Sequence, residues 1–131
     1  VGRILDTGAG IENAHSTYLT AVKTSYLKEN PDAAVAINKA LIDAYDSALK
    51  DANVLYTSSA GTNLPAEEWE KVYAYDTSFS YLTPEITDSE REYFENFNQW
   101  LVDHKLLKEK LDLDSFVDMS YYEKAVKSLD K

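Results

Sequence analysis

Cysteine is missing from this chain of 131 residues, which excludes disulfide staples, thiol nucleophiles and cysteine-ligated metals. Histidine is almost as scarce, with only His15 and His104. Neither has a second histidine or a carboxylate at the spacing that fixes a metal on one helix face, so no metal site is expected. Glycine and proline number 4 and 3, too few for a fibrous or low-complexity chain. No apolar run approaches the roughly 18 residues that a membrane span needs, so the chain is expected not to cross a membrane. It opens on Val1-Gly2-Arg3-Ile4-Leu5, with neither Met nor a signal-peptide pattern, and any targeting segment is expected upstream.

Positive charge is the other deficit. Thirteen Lys and Arg face 23 Asp and Glu, a formal net charge of −10. The imbalance is local: residues 1–30 hold three bases and three acids, whereas residues 65–104 hold ten acids against Lys71 and Arg91, a net of −8. Such a surface repels phosphate backbones and anionic lipid, so no nucleic-acid partner is expected. An acidic run of this kind is in the first place a solvated face that keeps the protein soluble.

What the chain does have is a globular balance of 44% hydrophobic and 27% charged residues, with 10 Tyr among its aromatics. Tyrosine combines apolar area with a polar tip and suits half-buried helix faces and ligand walls alike. Arg3 to Asp6 reads as a short strand stopped by Thr7-Gly8-Ala9-Gly10. Ser16 to Val22 reads as a second, its Thr, Tyr and Val favouring a pleated surface. Lys23 to Glu29 predicts a short helical turn.

The helical signals downstream are sharper. Asn30-Pro31 places a capping residue before a proline at the first helical position, where the missing N–H costs nothing. Ala34, Ile37, Leu41, Ala44, Tyr45 and Ala48 then share one face, predicting a helix to about Asp51 that approaches a neighbour closely. Asn53 to Asn63 reads as a connector. Pro65 restarts a helix with Glu67 and Glu68 in its first turn, opposing the dipole, and with Trp69, Val72 and Tyr73 as apolar contacts. Thr77 to Ile86 reads as extended and irregular, broken at Pro84.

Thr87-Asp88-Ser89-Glu90 is a capping box opening a helix with Phe94, Phe97 and Leu101 on one stripe, flanked by Tyr93 and Trp100. His104 and Lys105 end it with the charge its dipole favours. After a linker through Leu111 and Phe116, Ser120-Tyr121-Tyr122-Glu123 predicts a final helix. The expected order is two strands, then four or more helices. Isolated strand pairs are marginal in water, so part of the partner surface is expected outside this chain.

Catalysis finds little foothold. Gly8-Ala9-Gly10 lacks the third glycine of a dinucleotide fingerprint, which here is Asn13, and no helix opens at once behind it. Glu67–Glu68 and Glu90–Glu92 sit on exposed helix surface, whereas acid/base work needs a desolvated pair with separated pKa values. No Ser–His–Asp order stands out. The polar loop around Asn13, His15, Ser16 and Thr17 is the best ligand-contact candidate, from polarity and placement between the two strands.

The order of segments resembles a known family. Gly2 to Gly8, Thr17 to Ala21 and Tyr26-Leu27-Lys28-Glu29-Asn30-Pro31 are followed by Ala34 to Leu49. Leu82-Thr83-Pro84-Glu85-Ile86-Thr87, the Glu90 to Leu107 helix and Leu113 to Asp118 complete the match. Together they resemble the C-terminal part of ABC-transporter solute-binding proteins of the aliphatic sulfonate, taurine and nitrate type. No single piece is a sharp motif; the likeness lies in the order and spacing over nearly the whole chain.

That resemblance implies an α/β parent of the two-lobe, periplasmic-binding-protein-like II class. This chain is its helix-rich C-terminal portion: residues 1–22 form strands crossing between lobes, and residues 23–131 are helices covering the first lobe. The implied role is non-enzymatic, with no cofactor. A small anionic solute is held outside the cell membrane, in the periplasm or by a lipid-anchored lipoprotein, and passed to the transmembrane permease subunits. Asn13, His15, Ser16 and Thr17 then line one wall of the cleft, and most contacts lie upstream of Val1. An anionic solute is compatible with the acidic chain, since helix N-termini and neutral donors act locally. The rivals are an independent helical protein-interaction module and, more weakly, an enzyme of the same fold in thiamine pyrimidine precursor synthesis. A severed lobe is also expected to dimerise by exchanging N-terminal strands.

Overall fold

The computed structural model describes residues 19–59, 64–74, 78, 79 and 82–129. Six α-helices run through them: α1 (Thr24–Glu29), α2 (Pro31–Lys50), α3 (Ala52–Ser59), α4 (Ala66–Tyr73), α5 (Asp88–Asp103) and α6 (Ser120–Leu129). A 3-10 turn, Leu113–Ser115, lies between α5 and α6. No strand occurs among the described residues, which corrects the α/β expectation with its two N-terminal strands. Leu19 to Lys23 runs exposed and without regular structure, although the Ser16–Val22 strand was expected to include most of it. Alternation of Thr, Tyr and Val is only a preference for a pleated surface; without a neighbouring backbone to complete the ladder it makes no strand. The other expected strand, Arg3 to Asp6, lies outside the described residues.

The chain divides into two compact units, one of Val1–Ala21 with Ile86–Asp118 and one of Val22–Glu85 with Met119–Lys131. In the second unit α2 packs against α6, with α1 and α3 also touching α2 and α4 touching α3. The α2–α6 pair is close because its buried positions are small: Ala34 and Ala48 on α2, Ala125 on α6. This is the close approach expected from the alanines interleaved along α2.

Two local details of this unit differ from the expected ones. Asn30 does not cap α2 with its side chain. Its backbone N–H and its Nδ2 both donate to the Tyr26 carbonyl, 2.8 and 3.2 Å away, closing α1 instead. The expected connector after α2 is also largely helical. Asp51 ends α2 by donating its N–H to the Ser47 carbonyl (3.0 Å), and its Oδ1 accepts from the Asn53 N–H (3.0 Å). One residue thus closes one helix and starts α3, satisfying donors at both ends.

In the first unit the expected capping box opens α5. The Glu90 N–H donates to Thr87 Oγ1 (3.3 Å) and the Thr87 N–H donates to Glu90 Oε2 (2.8 Å). At the other end Lys105 adopts φ 60°, in the left-handed region. Its N–H donates to Val102 O and the Leu106 N–H to Leu101 O, each 2.9 Å, the paired closure of a Schellman turn. The chain then returns along α5, where Arg91 pairs with Asp114 and Leu113 is buried. Asn98, 4% exposed, is the one buried polar residue described. The described apolar core is thin: three of its five residues are alanine, joined by Phe79 and Leu113.

Candidate functional site

Asn13, His15, Ser16 and Thr17, the expected ligand contacts, lie outside the described residues, as does the rest of the loop from Thr7. The candidate surfaces that the structure does describe are aromatic, one in each unit.

In the unit that holds α2, a cluster of four rings gathers around Tyr73. Tyr56 of α3 stacks on it at a centroid distance of 6.0 Å, and Trp69, one turn earlier on α4, at 5.8 Å. Phe79 meets it edge-on at 5.9 Å and 84°. Two costs coincide here. Phe79 is 3% exposed yet holds φ 52°, a left-handed conformation that is unfavourable for a bulky residue by about 1–2 kcal/mol. The indole Nε1–H of Trp69 is buried without a hydrogen-bond partner among the described residues, a loss of about 1–3 kcal/mol for a neutral donor. Strain and orphaned donors are features that functional sites carry more often than plain core.

The cluster brings together ring faces and the buried Trp69 indole donor. Two of the acids on α4, Glu67 and Glu68, lie in its first turn, where they oppose the helix dipole. Glu68 accepts from the exposed Lys71 ammonium at 2.7 Å, and this hydrogen bond raises the lysine pKa. Lys71 is therefore committed to a surface pair on its own helix.

In the other unit α5 carries an aromatic ladder. Tyr93 stacks on Phe97 at 6.0 Å and 10°, Phe97 on Trp100 at 5.8 Å and 7°, and Trp100 on His104 at 4.0 Å and 26°. Spacings of four, three and four residues keep the rings on one stripe of the helix. Phe97 and Trp100 remain 36% and 41% exposed, so the stripe is open on its outer side. His104 Nδ1 lies 2.8 Å from the Trp100 carbonyl at the C-cap, which gives this histidine a structural place at the helix end.

Among the described residues the titratable groups add no acid/base pair. Burial raises the Tyr122 pKa, with the Glu85 and Asp46 carboxylates adding to the shift, so this phenol stays neutral at physiological pH. Among the described residues no group of three or more His, Asp or Glu is placed to hold a metal ion, and no helix is long and apolar enough to cross a membrane.

Sequence reasoning missed two of these features. Phe79 fell in a stretch expected only to be irregular, and nothing in a lone phenylalanine announces a left-handed backbone. Asn98 left a fainter signal: it lies four residues after Phe94 and three before Leu101, a polar residue on the apolar side of its helix. Neither a protein-family model, nor a curated protein, nor a solved structure matches this chain.

Proposed function

We propose that this chain is part of the extracytoplasmic solute-binding component of an ABC importer, which captures a small anionic solute of the sulfonate, taurine or nitrate class for delivery to the permease. The observation that carries the reading is the agreement between element boundaries and the segments of the resemblance. Tyr26 to Pro31 holds the α1–α2 junction, Thr87 opens α5, and Leu113 to Asp118 forms the turn before α6. The reading concerns the activity alone; the helical architecture stands as described. The ladder on α5 supports it in a second way, since rings left more than a third exposed suit a helix that lies against a further surface of a larger protein. Solute capture requires no covalent chemistry.

Thermal-shift measurements on the protein encoded together with the sequence upstream of Val1 test this reading. Taurine, alkanesulfonates, nitrate and thiamine-precursor pyrimidines are the ligands to compare. One of the anions should raise Tm, by the equivalent of about 2.7 kcal/mol at a hundredfold excess over Kd. If none of them moves Tm, the transport reading fails. If only the pyrimidines do, the precursor-synthesis branch replaces it.

The same exposed stripe favours a second reading, an independent helical interaction module. Sedimentation of the 131-residue chain with a hydrophobic dye separates the two. A stable compact monomer favours the module, and self-association that withdraws the stripe from the dye favours a part of a larger receptor.

A further inference from the structure

We draw no further inference here: the strongest candidate, the exposed aromatic stripe Tyr93, Phe97, Trp100 and His104 along α5, is an unpartnered face, and nothing in the structure shows what covers it.

Discussion

Asn98 satisfies both backbone polar groups of Leu111, thirteen residues away. Its Nδ2 donates to the Leu111 carbonyl at 2.7 Å, and the Leu111 N–H donates to its Oδ1 at 3.0 Å. The amide thereby completes, for a segment without regular structure, the pairing that a strand neighbour would have provided. It fixes the returning chain against α5 at the point where Leu113 begins to be buried.

Replacing Asn98 by leucine keeps the branched outline of the side chain and removes both partners at once. The Leu111 N–H and C=O are then left beside an apolar side chain, and the protein should lose about 2–3 kcal/mol. Urea unfolding followed by circular dichroism reads this loss. A change below about 0.5 kcal/mol shows that water takes over both bonds.

Thr87 and Glu90 form one reciprocal device. Thr87→Ala should cost about 1 kcal/mol, in the ordinary range for an N-cap. Because each side chain depends on the other's position, Thr87→Ala combined with Glu90→Ala should cost less than the sum of the single changes. A double-mutant cycle in chemical denaturation measures the coupling, and strict additivity contradicts the paired geometry.

Lys105 occupies a position that glycine fills without strain. Lys105→Gly relieves the contact of Cβ with the backbone and should stabilise the protein by roughly 0.5–1 kcal/mol, despite the greater freedom glycine gives the unfolded chain. The sign is the test in a thermal melt: destabilisation shows that the lysine chain contributes more than its backbone costs.

Tyr122 ties stability to alkaline pH. Its folded pKa is raised above the ordinary tyrosine value, first by burial and then by Glu85 and Asp46. The folded state therefore holds the phenolic proton more tightly than the unfolded chain. Its contribution is full below about pH 10, the unfolded value, and is lost as pH rises from there through the folded value. Tyr122→Phe has no proton to lose and should show a shallower fall in stability above about pH 10. Paired pH–denaturation profiles and the tyrosinate absorbance difference check this together. Parallel profiles exclude the linkage.

Several helices were legible before any coordinates because their signals act within one turn. Pro31 brings a preset φ to the first position of α2, and Thr87 with Glu90 at α5 and Glu68 with Lys71 on α4 engage groups three residues away. Such contacts survive whatever else the chain does. The alanines of α2 likewise announced a close neighbour, though not that α6 supplies it.

Most features that escaped the sequence are those in which a residue's fate depends on a distant partner or on a choice between two local ones. Thr20 and Val22 carry strand preference, yet preference makes no ladder without a facing backbone, and none stands beside Leu19 to Lys23 among the described residues. Asn30 bears the composition of an N-cap but its amide donates back to the Tyr26 carbonyl instead of accepting from the N–H groups of α2, a competition that composition does not rank. The Asn98–Leu111 clamp, the orphaned Trp69 indole and the left-handed Phe79 arise from packing between segments far apart or irregular in backbone. The capping box that opens α5 is local hydrogen-bond chemistry and can be read from four consecutive residues. The strand that did not form and the clamp that did are long-range pairings, which exist only once the folded chain brings their partners together.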